Sequence, residues 1–128
     1  MKPLFLILTA LLLSCGVSQA GEAEIVGGYN LERLVNAIYK AEGGSKTRHL
    51  YGILARYKHT TPRQACINTL RHKARDWEAQ GSKGDYLDFL AKRYCPVGAS
   101  NDPLGLNAHW LGNVARLYET ASKTRILE

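Results

Sequence analysis

A helical stripe that ends in a carboxylate and two glycines constrains this chain more than any other feature. Between residues 31 and 42 the apolar side chains recur at three- and four-residue spacing, which is typical of one face of an amphipathic helix. They are Leu31, Leu34, Val35, Ile38 and Tyr39. At about 100° per residue, the next turn of the same face reaches Glu42. Gly43 and Gly44 then predict the end of the helix.

Glu42 therefore stands where the stripe predicts an apolar side chain. Burial against apolar neighbours and the negative end of the helix dipole each favour the neutral form of a carboxyl group. A carboxyl group that keeps its proton near neutral pH is suited to general-acid catalysis. The alternative is that Glu42 is a solvated residue of the last helical turn, as most Glu residues near helix ends are.

The same stretch carries a family resemblance. A helix that ends in Glu42-Gly43-Gly44, followed by Tyr51-Gly52-Ile53, resembles the lysozyme-like superfamily, and within it the soluble lytic transglycosylases and small bacterial lysozyme-like proteins. In that superfamily the catalytic Glu ends the first long helix, and the Tyr-Gly-aliphatic element lies beside the substrate cleft. The resemblance implies that Glu42 is catalytic, that Tyr51 and Gly52 bind substrate, and that no cofactor or metal is needed.

The chain departs from the familiar branch at two places. Gly43 follows the Glu where the branch has Ser, and Leu54-Ala55 follow the Gly-Ile where it has Met-Gln. A weaker resemblance places Tyr94 at the Tyr that ends a later helix of lytic transglycosylases, where its hydroxyl faces the catalytic carboxylate. The alternative is that Tyr94 is a core aromatic residue with a solvated hydroxyl.

The resemblance implies an exported enzyme that cleaves the β-1,4 MurNAc-GlcNAc bond of peptidoglycan, with Glu42 as general acid. A hydrolase needs a second carboxylate opposite the acid. No Asp or Glu lies between Glu42 and Asp76, which favours a lytic transglycosylase. Asp85, Asp88 and Asp102 remain possible partners through folding, although Asp85 and Asp88 suit a helix start.

Turn-rich residues follow Tyr94. Asn101 and Asn107 are candidate substrate ligands, since their amides can hydrogen-bond sugar or peptide groups. The same residues would serve equally well in a turn and a helix cap, and Asn107 is a predicted cap of the last helix.

Residues 1–20 have the features of a signal peptide. Lys2 precedes an apolar run from Leu4 to Leu13, and Ser18-Gln19-Ala20 forms a small-residue cleavage site before residue 21. A competing interpretation is that Leu12-Leu13-Ser14-Cys15 is a lipobox, which would lipidate Cys15 and anchor the protein to a membrane. In both cases the mature protein is periplasmic or secreted, and residues 21–128 form one lysozyme-like domain.

Cysteine usage agrees with export, because Cys66 and Cys95 are an even pair outside the signal region. A disulfide between them would close a loop of about 30 residues and stabilise the domain by roughly 3–4 kcal/mol. The alternatives are two buried free thiols or, with less support from the spacing, a metal site.

The periodicity predicts a mainly α domain with a minimal or absent β region. We expect a partly ordered lead-in over 21–30, an irregular stretch over 45–61 that could hold a short strand or hairpin, and a frayed tail. The predicted helices span about 31–42, 62–80, 85–95 and 107–123. Thr61, Pro62 and Gln64 form a helix-start signal with a capping box, and Asp85 is a predicted N-cap.

Charge limits the partners. The net charge of +6 and the pI of about 9.4 suit an anionic polymer. Peptidoglycan is such a polymer, whereas the export signal argues against nucleic acid. We expect a monomer that meets a membrane only if Cys15 is lipidated. An inactive lysozyme-like glycan-binding module, a lysozyme inhibitor or another exported binding protein remain alternatives.

Overall fold

The protein is described by a computed structural model that covers residues 21–100, 102 and 104–124. The described chain is mainly helical, as predicted. A two-stranded antiparallel hairpin, with β1 at Ile25–Val26 and β2 at Tyr29–Asn30, leads into four helices. The helices are α1 (Leu31–Ala41), α2 (Pro62–Ala79), α3 (Tyr86–Tyr94) and α4 (Trp110–Thr124). The predicted signal peptide, Cys15 and Asn101 lie outside the described residues.

Helix α1 follows the sequence pattern closely. The Asn30 side chain caps its N-terminus by accepting a hydrogen bond from the Arg33 N–H at 3.0 Å. Its apolar stripe is buried, and Gly43 adopts the left-handed conformation (φ +103°) that ends the helix. Tyr39 is the one stripe residue that remains half-buried.

The core forms where α1 packs against α4, which is the most extensive contact between helices. Buried side chains from α2 and α3 complete it. The apolar face predicted for α2 is confirmed at Cys66, Ile67, Leu70 and Ala74. Trp77 is only half-buried, because its indole N–H reaches the Lys83 carbonyl near the surface at 3.3 Å.

The predicted N-caps of α2 and α3 are confirmed. The Thr61 hydroxyl accepts from the Gln64 N–H at 3.1 Å, and Pro62 occupies the first turn. The Gln64 side chain bonds Asn68 instead of returning to Thr61, so only half of the predicted capping box forms. Asp85 accepts from the backbone N–H of Leu87 at 2.8 Å.

Two local predictions are wrong, at the lead-in and at the start of the last helix. The lead-in over 21–30 contains the hairpin, whose backbone pairing is closed by the Gly27-Gly28 turn. The irregular stretch predicted over 45–61 is confirmed, and the strand or hairpin left open there does not form. Two single 3₁₀ turns, at Gly44–Lys46 and Leu50–Gly52, lie in its first part. The last helix begins at Trp110 and not after an Asn107 cap, because a further 3₁₀ turn spans Leu106–His109.

No helix in the described part of the chain is long and apolar enough to cross a membrane.

Candidate active site

Glu42 is the C-cap residue of α1, and its N–H donates to the Ile38 carbonyl at 2.9 Å. The helix thus holds its backbone, while the side chain is half-buried and turned towards α4. There the Trp110 Nε1–H donates to Glu42 Oε1 at 2.7 Å. A short hydrogen bond to a carboxylate from a rigid indole fixes the orientation of the carboxylate plane.

Trp110 is a candidate site residue that the sequence did not indicate, because its position on the inward face of α4 predicts a core residue. It is indeed 6% exposed, and its ring stacks on Tyr94 at a centroid distance of 5.4 Å. A buried indole N–H nevertheless needs an acceptor. The sequence carries one signal for this pair: a Trp on the inward face of one helix and a carboxylate on the buried stripe of another.

The Tyr51-Gly52 backbone closes the other side of the carboxylate. A Cβ atom built at Gly52 would lie 2.9 Å from Glu42 Cδ and 3.0 Å from Oε2. Gly52 also has φ +69°, a conformation that favours glycine. The close approach and the backbone angle therefore both favour glycine beside Glu42.

Tyr51 has a left-handed backbone (φ 59°, ψ 20°) although it is not a glycine. Non-glycine residues in this region are strained, and the surrounding contacts must hold them there. The Tyr51 ring is buried and packs on Tyr39 at a centroid distance of 5.2 Å. Its carbonyl oxygen accepts from the Tyr94 hydroxyl at 2.6 Å.

The Tyr94 contact differs from the one implied by the resemblance. Its hydroxyl donates to the Tyr51 carbonyl and not to Glu42. Burial raises the pKa of Tyr94, so the hydroxyl keeps its proton and remains a donor. Tyr94 therefore positions the Tyr51-Gly52 loop against the carboxylate, and supports Trp110 through ring stacking.

We expect Tyr94→Phe to lower the free energy of unfolding by about 1 kcal/mol, because one hydrogen bond is lost and the ring packing is kept. Denaturant unfolding measures this change. The peptidoglycan cleavage that the resemblance implies should also become slower, because the freed Tyr51-Gly52 loop no longer holds its place against Glu42. Unchanged turnover together with a large loss of stability would assign Tyr94 to the core alone.

A pocket of about 180 Å³ opens in front of this arrangement. Its polar wall groups belong to Glu42, Asn107 and Asn113, with Leu106 and Trp110 supplying apolar surface. Asn113 was not identified from the sequence. It follows Trp110 by three residues on α4, and side chains at that spacing lie on one helix face.

Asn107 is already hydrogen-bonded within the chain, so its amide is less available to a substrate than the sequence suggested. Its side-chain Nδ2 donates to the Pro96 carbonyl at 2.9 Å, and its backbone N–H donates to Asp102 Oδ2 at 3.2 Å. These bonds fold the loop that carries Asn107 to the pocket wall, which explains why it does not cap α4. The other candidate amide ligand, Asn101, lies outside the described residues.

The three candidate partner carboxylates do not join Glu42. Asp102 is 5% exposed and accepts from backbone N–H groups of its own loop, at Gly98 and Asn107. Asp85 caps α3 and accepts from the Tyr29 hydroxyl. Asp88 lines a neighbouring pocket of about 310 Å³. Among the described residues that line the smaller pocket, Glu42 is the only carboxylate.

Cys66 and Cys95 are free thiols, so the disulfide predicted from the sequence is not formed in the structure. Cys66 is fully buried on α2, whereas Cys95 is half-buried at the C-cap of α3. Burial raises the pKa of Cys66 to about 12 and that of Cys95 to about 11. The protonated form of both thiols is therefore favoured near neutral pH.

Within the described part of the chain, no group of three or more His, Cys, Asp or Glu residues is placed to hold a metal ion. No family model, no curated protein and no solved structure matches this chain. The assignment of a function therefore depends on the site itself.

Proposed function

We propose that this protein is an exported, lysozyme-like enzyme that cleaves the β-1,4 MurNAc-GlcNAc bond of peptidoglycan, with Glu42 as general acid and base. The observation that carries the proposal is the setting of Glu42. Among the described residues of its pocket wall it is the only carboxylate, and it lies between the Trp110 N–H and the Gly52 backbone. A positioned carboxyl group beside an open pocket is what proton transfer to a glycosidic oxygen requires.

The convergence of separate sequence motifs supports the lysozyme-like interpretation. Glu42 ends α1, the Tyr51-Gly52 turn lies against its carboxylate, and Tyr94 at the end of α3 binds that turn. These three stretches carried the resemblance in the sequence. They contact one another in one place, as residues of a shared site would.

The proposed reaction uses one carboxyl group twice. Glu42 first donates its proton to the glycosidic oxygen as the bond between that oxygen and C1 of MurNAc breaks. The resulting carboxylate then takes the proton of the MurNAc C6 hydroxyl, while the C6 hydroxyl oxygen forms a bond to C1. The products are a GlcNAc-ended strand and a 1,6-anhydro-MurNAc end, and Glu42 regains its proton.

A lytic transglycosylase fits the pocket better than a hydrolase. A hydrolase uses a second carboxylate to activate water or to bond to C1. Asp85 and Asp102 are engaged in capping and loop hydrogen bonds, and Asp88 faces another pocket. The intramolecular C6 hydroxyl needs no second carboxylate, because the sugar itself supplies the nucleophile.

Mass spectrometry of the products from purified peptidoglycan tests the proposal. We expect soluble muropeptides that carry 1,6-anhydro ends. Products with reducing ends made from solvent water would identify a hydrolase and would direct the search to a second carboxylate. Binding to peptidoglycan without release of any muropeptide would favour the inactive glycan-binding module.

A further inference from the structure

A third pocket, of about 420 Å³, lies on the loop that follows Glu42. Arg48, His49 and Arg56 contribute the basic groups of its wall. Leu50, Ile53 and Leu54 contribute apolar surface to the same wall. The pocket thus combines two guanidinium groups with an apolar lining, a combination that suits an anionic group attached to a small apolar body.

No ion pair among the described residues neutralises the charge of this pocket. No Asp or Glu occurs between Glu42 and Asp76, and no carboxylate lies on the pocket wall. Within the described residues, the basic side chains that form ion pairs are Arg63, Arg71, His72 and Lys73. Arg48 and Arg56 are therefore open to an external anion, and an arginine stays charged at any physiological pH.

The pocket and the Glu42 carboxylate share one short turn. Leu50 and Ile53 line the pocket, while Gly52 between them contacts Glu42. The turn therefore connects the two places, and a bound polymer that extends along the turn would reach both. The turn itself is held by the bond from the Tyr94 hydroxyl to the Tyr51 carbonyl.

We propose that this pocket binds a free carboxylate of a peptidoglycan stem peptide, with Arg48 and Arg56 as its ligands. The inference rests on the proposed function for its choice of polymer. The planar guanidinium matches a carboxylate through paired N–H donors. The apolar wall favours a peptide carboxylate over the phosphate of a wall polymer, because the methyl groups of a stem peptide can pack against Leu50 and Ile53.

Co-sedimentation with insoluble peptidoglycan tests the proposal, and a Glu42→Gln background prevents cleavage during the measurement. The double variant Arg48→Gln/Arg56→Gln is compared with the double variant Arg75→Gln/Arg116→Gln. Arg75 and Arg116 are exposed on α2 and α4, and the second pair removes the same charge away from the pocket. Three preparations are used: peptidoglycan stripped of phosphate polymers by hydrofluoric acid, the same material with amidated carboxylates, and untreated walls.

We expect Arg48→Gln/Arg56→Gln to weaken binding to the stripped peptidoglycan about five- to thirtyfold, and the control pair to weaken it much less. Amidation of the peptidoglycan carboxylates should weaken binding of the Glu42→Gln protein by a similar factor. It should cause no further loss in the protein that also carries Arg48→Gln/Arg56→Gln. Equal losses for the two pairs would overturn the inference, as would a loss seen only with untreated walls, which would assign the pocket to phosphate.

The two proposals fail separately. The pocket inference stands if the carboxylate-dependent loss is observed while the wild type releases no muropeptides, and the enzymatic proposal then fails. Release of anhydro muropeptides by wild type with unchanged affinity in Arg48→Gln/Arg56→Gln would overturn the pocket inference alone.

Discussion

Glu42→Gln should lower muropeptide release from purified peptidoglycan by on the order of a hundredfold to ten-thousandfold, the usual contribution of general acid–base catalysis. The amide cannot donate a proton to the glycosidic oxygen or recover one from the C6 hydroxyl. Its carbonyl oxygen can still accept from Trp110 Nε1, which now bonds Glu42 Oε1. The fold and the pocket should therefore survive, and thermal unfolding should shift little.

Glu78→Gln is the matched control, since Glu78 is an exposed residue of α2. The two variants lose the same charge, so a general electrostatic effect on binding to the wall would appear in both. Release by Glu42→Gln at the rate of the Glu78→Gln control would show that Glu42 is not the catalytic acid. A collapse of the Glu42→Gln fold would instead assign the residue to stability.

Gly52→Ala should reduce turnover about a hundredfold while it lowers stability only modestly. The new Cβ would lie 2.9 Å from Glu42 Cδ. The carboxylate is the free end of a side chain, so it moves away at little cost to the fold. Displacement of a catalytic group by about 1 Å can cost about a hundredfold in rate. Turnover and denaturant unfolding, measured on the same preparation, separate the two effects.

Gly84→Ala separates backbone strain from the contact with Glu42. Gly84 has φ +74°, close to the +69° of Gly52, but nothing lies within 4 Å of the Cβ position. Both variants should lose about 1–2 kcal/mol from the left-handed backbone of a non-glycine residue. Only Gly52→Ala should lose turnover, and equal turnover in the two variants would contradict the proposed role of the Gly52 contact.

Local signals in the sequence predicted much of the helical framework. The Thr61 and Asp85 caps each bond an N–H within three residues, so their partners are determined by the chain itself. The stripe of α1 and its glycine stop depend only on helical periodicity and on the left-handed backbone of Gly43. The start of α4 was mispredicted because Asn107 bonds the Pro96 carbonyl, which lies in another part of the loop.

The sequence by itself determined that a lone carboxylate ends the buried stripe of the first helix, because spacing along one helix places it there. Only the tertiary structure decided what surrounds that carboxylate. The Trp110 donor is 68 residues away, and the Tyr94 hydroxyl bonds a carbonyl 43 residues away. Such partners are selected by how α1, α3 and α4 pack, since a hydrogen bond acts only over about 3 Å. No spacing rule along the chain specifies that distance.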